Sequence, residues 1–150
     1  HTRYWRDWSS DVCSSDLNHF RSYYNVIAYA SDKRLKKNIV RITDALSKVN
    51  AINGVTFDWD IEKTESLDFT PDKSHEVGVL AQEIEAVLPE AVEIAPFDYD
   101  WKKPEQSKSG EKYLTVKYEK IVPLLIEAIK EQQLQIEELK AMMKELKNAI

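Results

Sequence analysis

The chain has 150 residues and a formal net charge of −5, with 43% hydrophobic and 31% charged residues, which is room and apolar content for one ordinary domain. Acids and bases are interspersed, which argues against a nucleic-acid binder with its clustered basic face. No run approaches the roughly eighteen apolar residues of a membrane span, and only three glycines argue against a glycine-rich repeat.

His1 to Leu17 lacks the basic start and apolar stretch of a signal peptide. The string Asp7-Trp8-Ser9-Ser10-Asp11-Val12-Cys13-Ser14-Ser15-Asp16-Leu17 resembles the translation of a sequencing adapter. Residues 1–17 are therefore expected to be an artefact, foreign to the domain. Cys13, the single cysteine, goes with them, and so does any redox argument.

In residues 18–30, the tyrosine- and valine-rich stretch Tyr23–Tyr29 predicts a strand that ends an upstream region. Ser31 to Asn38 is a charged turn. Ile42, Ala45, Leu46 and Val49 then fall at helical spacing, with Thr43 or Asp44 as candidate caps. Asn53-Gly54 signals a turn, and Val55, Phe57 and Trp59 alternate with polar residues as a half-buried strand does. Asp60 to Ser74 is polar and contains Pro71, so it is expected to be a loop. A second strand is expected at Glu76–Leu80, with Gly78 allowing close backbone packing. A helix follows at Ala81–Leu88, stopped by Pro89. Val92 and Ile94 suggest a short strand, Pro96 to Gly110 a second polar loop, and Tyr113 to Lys117 a last strand. Both loops are long for a compact domain and belong on the surface or against neighbouring subunits.

The strongest periodicity lies at the C-terminus. Val122, Leu125, Ile129, Gln132, Ile136, Leu139, Met143, Leu146 and Ile150 step by three and four without a miss. That is a heptad seam, which predicts a left-handed supercoil with similar helices. Gln132 is its one polar member, a residue type that gives up stability to fix register or oligomer number. Pro123 sits near the helix start, where a missing donor costs least. A lone amphipathic helix packed on its own domain would show a wider apolar face. The fold class expected is thus α+β: short strands and helices in a core over 31–117, then a coiled-coil helix over 118–150.

The string Ala28-Tyr29-Ala30-Ser31-Asp32-Lys33-Arg34-Leu35-Lys36-Lys37-Asn38-Ile39 closely resembles the opening of the endosialidase-type intramolecular chaperone domains that end bacteriophage tail fibres and tailspikes. Their hallmark is Ser-Asp-x-Arg-Leu-Lys followed by Asn-Ile. Val55 to Trp59, Val77 to Glu83 with Leu88-Pro89-Glu90, and Tyr118 to Glu131 resemble three further blocks of that family in order. Any one block is weak; four in order cover nearly all of 31–150.

The resemblance implies a serine–lysine dyad carried by Ser31 and Lys36, a homotrimer, and self-cleavage next to the dyad. A serine hydroxyl needs a base to take its proton. A lysine amine of ordinary pKa is neutral in roughly one molecule in 2,500 at pH 7. Burial and neighbouring cations raise that fraction, so cleavage is expected only after folding and assembly. Attack by the Ser31 hydroxyl on the Ala30 carbonyl passes through a five-membered ring, which favours the Ala30–Ser31 bond as the scissile one. Ser31–Asp32 stays open if the hydroxyl acts across subunits. Asp32, Arg34 and Asn38 are candidates for orienting the dyad, or are residues of a solvated turn. His75 could assist proton transfer or an oxyanion, or be a surface loop residue.

Asp58, Glu76 and Glu83 lack metal-ligand spacing and there is no Cys/His cluster, so neither metal nor cofactor is expected. The expected partners are two further copies of the chain and its own upstream fibre region, with no nucleic acid or membrane. The expected setting is a fibre precursor folded in the host cytoplasm, whose chaperone part leaves after the cut. Two alternatives remain open: a trimerisation cap that stays attached, and a domain of this family within a cellular transcription factor.

Overall fold

A computed structural model describes residues 30–67, 69–103 and 106–150. The adapter-like segment, the strand expected at Tyr23–Tyr29 and all of 18–30 except Ala30 lie outside the described residues. The chain divides into two compact units, His1–Ile39 and Val40–Ile150.

The second unit is α+β. Its elements are α1 (Ala45–Asn50), β1 (Gly54–Asp58), α2 (Ile61–Glu65), β2 (His75–Val79), α3 (Ala81–Val87), β3 (Val92–Ile94), β4 (Leu114–Val116) and α4 (Ile121–Asn148). Single 3-10 turns precede β3 at Pro89–Ala91 and α4 at Tyr118–Lys120. The strands form two separate antiparallel pairs: β1 with β2, from Gly54 opposite Val79 to Asp58 opposite His75, and β3 with β4, from Val92 opposite Val116 to Ile94 opposite Leu114. Val55 and Phe57 turn inward while Gly54, Thr56 and Asp58 face water, the alternation that a half-buried strand requires.

The expected loop at 60–74 contains a helix. Asp60 caps α2 by accepting from the Lys63 amide at 3.1 Å, and Thr64 donates to the Ile61 carbonyl at 3.1 Å. Five residues are too few for hydrophobic periodicity to register, so polarity and Pro71 dominated the expectation. Neither Thr43 nor Asp44 caps α1 through its side chain. Asp44 adopts φ 54° and makes no such bond. The cap comes from the far end of the unit: Glu131 on α4 accepts from the Ala45 and Leu46 amides at 2.9 and 2.8 Å. A carboxylate across the first amides of a helix satisfies orphan donors and meets the positive end of the dipole.

That clamp fixes one face of α4. Leu124 is fully buried and Ala128 nearly so, packed on Ala45 with Ile42, Leu46, Val49, Ile52 and Leu88 around them. The heptad seam is a different face of the same helix. Ile129, Leu139 and Leu146 are 64%, 59% and 65% exposed, and Val122, Leu125, Gln132, Ile136, Met143 and Ile150 are exposed with them. The unit's own core is thin, since most of its fully buried apolar residues are alanines.

Aromatic rings tie the expected loops to the sheets. Phe57, Trp59, Phe69, Phe97 and Tyr113 touch in sequence, with centroids 5.0, 5.1, 5.2 and 6.0 Å apart. The 96–110 loop is further organised by Asp98, buried at 2% exposure. Its carboxylate accepts from the Ser109 and Tyr113 amides at 2.8 and 2.9 Å. Burial pushes its pKa up, but these bonds and the Ser107 hydroxyl outweigh it, leaving the carboxyl below the ordinary range. Gly78 leaves room for the Tyr118 side chain: a Cβ there would lie 2.9 Å from the Tyr118 hydroxyl, which would have to shift.

Leu124→Ala should cost about 2–5 kcal/mol in denaturant unfolding, from the lost burial of its side chain and the cavity left among Ile42, Leu46, Val49, Ile52 and Leu88. The Glu131 carboxyl is held low by the Leu46 and Ala45 amides, as Asp98 is held low by its own loop. Depressed folded values mean that both carboxylates stabilise fully above their unfolded pKa values of about 4, and that this contribution fades as pH falls through the folded values. Asp98→Asn and Glu131→Gln should each flatten the acid limb of stability, read by circular dichroism between about pH 6 and about pH 2.

Candidate active site

Ser31 and Lys36 are brought together by a turn written in the five residues between and beside them. Asp32 stands in extended conformation and its carboxylate accepts from the Arg34 amide at 2.8 Å, a turn that short acidic side chains favour. One 3-10 turn follows at Lys33–Leu35, closed by Leu35 N to Asp32 O and Lys36 N to Lys33 O, each 3.1 Å. Lys36 leaves this turn with φ −112° and ψ 143°. Its side chain then returns to Ser31, and Nζ donates to Oγ at 2.8 Å.

The Arg34 guanidinium grips the Asp32 carboxylate from outside the turn. Its Nε lies 3.1 and 3.2 Å from the two Asp32 carboxylate oxygens, and Nη2 lies 2.7 Å from the second. This is the bidentate fork that guanidinium geometry favours. It holds the Asp32 carboxyl below its usual range, through the Arg34 side chain first and the Arg34 amide second. The Arg34 side chain is 87% exposed, so the pair contributes little to global stability. Its effect is local, on the carboxylate that follows Ser31.

Asn38 enters through its backbone. It has φ 52°, a left-handed conformation that asparagine tolerates better than most residues. His75 is engaged elsewhere: its Nδ1 lies 2.7 Å from Asp58 Oδ1 at the last register pair of β1 and β2. That contact occupies one ring nitrogen and makes His75 a member of a cross-strand pair. Ala30, Ser31 and Lys36 are all exposed, so the Ala30–Ser31 bond and both dyad side chains are open to water. Among the described residues, no group of three or more His, Cys, Asp or Glu is placed to hold a metal ion, and no helix is long and apolar enough to cross a membrane.

Two features had no clear mark in the sequence. Glu131 looks like any solvated residue of a charged helix, and its partners at 45 and 46 are far away in the chain. The Asp32–Arg34 fork had a fainter signal, an acid and a base two apart beside the candidate nucleophile, which is too common a spacing to single out.

Residues 31–93 match the sequence profile of the family described as the chaperone of endosialidase, a profile that also bears a peptidase designation. The chain is 36% identical over 142 residues to the long tail fiber protein Gp37 of Enterobacteria phage T2, covering 87% of this chain and 10% of that protein. It is 37% identical over 124 residues to the protein of the same name in Enterobacteria phage K3, covering 80% and 9%. With that of Enterobacteria phage M1 it shares 34% over 119 residues, covering 79% and 41%. The chain thus spans about a tenth of the first two relatives.

Asn38→Gly should keep the turn intact, since glycine adopts the same φ freely, whereas Asn38→Val should distort it at a cost of about 1–2 kcal/mol. Amide exchange at Leu35 and Lys36, followed by NMR, distinguishes the two.

Proposed function

We propose that the chain, whose residues 31–93 match the profile of the chaperone of endosialidase, is the folding and self-release module of a phage tail-fibre polypeptide. It trimerises through α4, aligns three upstream fibre segments, and then cuts itself free beside Ser31. The observation that carries this reading is the 2.8 Å contact between Lys36 Nζ and Ser31 Oγ, a lysine amine within proton-transfer reach of a serine hydroxyl.

The step balances within those groups. The neutral Lys36 amine takes the Ser31 hydroxyl proton as Oγ attacks the Ala30 carbonyl carbon through a five-membered ring. The carbon–nitrogen bond to Ser31 breaks as the Lys36 ammonium returns the proton to the departing nitrogen. Water then hydrolyses the Ala30 ester on Oγ, leaving an Ala30 carboxylate and a free Ser31. The local turn supplies the geometry, and assembly supplies the rest. Packing three chains together removes water from the turn, which favours the neutral amine. The cut therefore follows completed folding.

The exposed seam of α4 supports self-association, since a continuous stripe of Val, Ile, Leu and Met open to water marks an interaction surface. The relatives' fibre names support the upstream partner. Fibres of intertwined β-structure depend on non-local pairing and strict register, and a C-terminal nucleus that aligns three chains shortens that search. In this reading the precursor folds in the host cytoplasm, the fibre enters the virion, and loss of the chaperone makes unfolding kinetically one-way. A second reading, a trimerisation cap that stays attached, draws support from the exposure of both dyad side chains.

Mass spectrometry of the chain carrying its native upstream fibre sequence should find a cut at Ala30–Ser31. Ser31→Ala and Lys36→Ala should abolish the cut while sedimentation still reports trimers. Leu139→Asp with Leu146→Asp should give monomers that cleave at least about tenfold more slowly, if assembly raises the neutral-amine fraction by a pKa unit or more. An uncut wild-type trimer would establish the attached cap instead, and full-speed cleavage by monomers would end the assembly requirement.

A further inference from the structure

The dyad has a carboxylate as its immediate chain neighbour, which poses an electrostatic problem. Asp32 follows Ser31, and Lys36 already reaches Ser31. A free carboxylate beside an amine favours the ammonium form, the form that cannot act as a base. In the structure that carboxylate is fully occupied. Both of its oxygens are held by the Arg34 guanidinium, and Oδ1 also accepts from the Arg34 amide. Lys36 is left with the serine hydroxyl as its partner.

We infer that Arg34 is a positioning residue for self-cleavage, one that sequesters the Asp32 carboxylate and so prevents a Lys36–Asp32 ion pair from displacing the Lys36–Ser31 contact. This inference rests on the serine–lysine reading and adds to it the reason an acid can sit next to the nucleophile. Lysine could not replace arginine here, because a point-charge ammonium lacks the fork that engages both carboxylate oxygens and leaves the turn's backbone cap in place. The Asp32 side chain contributes shape through the cap, and Arg34 cancels the charge that the cap brings with it.

The charge and shape roles separate in substitutions. Asparagine caps a turn about as well as aspartate, so Asp32→Asn keeps the shape and removes the charge. Arg34→Gln removes the sequestering group and leaves the charge free. In the chain carrying its native upstream sequence, Arg34→Gln should cleave about tenfold more slowly, the size of a one-unit fall in the neutral-amine population. Asp32→Asn alone gives the rate with the charge removed, and adding Arg34→Gln to it should slow cleavage by no more than about threefold. Trimer content, measured for each variant by sedimentation, confirms that like assemblies are compared.

A merely structural role for Arg34 predicts that Arg34→Gln slows the Asp32→Asn chain by the same factor as it slows the wild-type chain. That result would overturn the inference, as would an Arg34→Gln trimer that cleaves at the wild-type rate. Lys36→Ala in the same series separates the two ideas. Cleavage that survives it refutes the dyad itself, whereas cleavage that is lost with Lys36 but indifferent to Arg34 refutes only the sequestration.

Discussion

Helix α4 meets two demands with two faces, and the arrangement of the second unit follows from that division. Leu124 and Ala128 bury against Ala45 in α1, and Glu131 reaches across to cap the first amides of α1. Those contacts set the rotation of α4 about its own axis. With the rotation set, Val122, Leu125 and Ile129 cannot join the core, and the stripe they begin stays open to water as far as Ile150. A helix free to roll would bury that stripe against its own unit and lose the surface it offers. The clamp is therefore what keeps the heptad pattern as an exposed apolar stripe.

The thin interior of the unit fits this division. Ile84 and Leu124 are the largest apolar side chains fully buried among the described residues, and alanines supply most of the rest. Apolar area is the main favourable term in folding. A chain that leaves a long row of large apolar residues exposed while burying alanines has its greatest unrealised stabilisation in association. Self-association through that row, as proposed, would be coupled to folding, since whatever binds the folded form stabilises it.

The dyad turn works on another principle. Among the described residues its bonds are local: Asp32, Arg34 and two backbone bonds build it from six consecutive positions. Such a turn can form early and survive wherever the segment is placed. Under the proposed self-release, this pre-formed geometry would wait for assembly to supply its environment, and the Asp32–Arg34 fork would keep Lys36 on Ser31 meanwhile.

What the sequence determined by itself was whatever repeats or closes locally. The strand at Val55–Phe57 showed in its period of two, the terminal helix in its unbroken steps of three and four, and the Ser31–Lys36 turn in a contiguous string. Helix α2 escaped because five residues carry no readable period, and its Asp60 cap sat in a stretch that looked merely polar. Tertiary structure alone decided the rest. Phe57, Trp59, Phe69, Phe97 and Tyr113 form one contiguous row of rings, yet two of them lie in segments whose composition reads as loop. Glu131 is one glutamate among many until α1 is packed against α4. Pairings of this kind join residues tens of positions apart, and chain order holds no trace of them because they are selected by fit in three dimensions rather than by neighbourhood along the backbone.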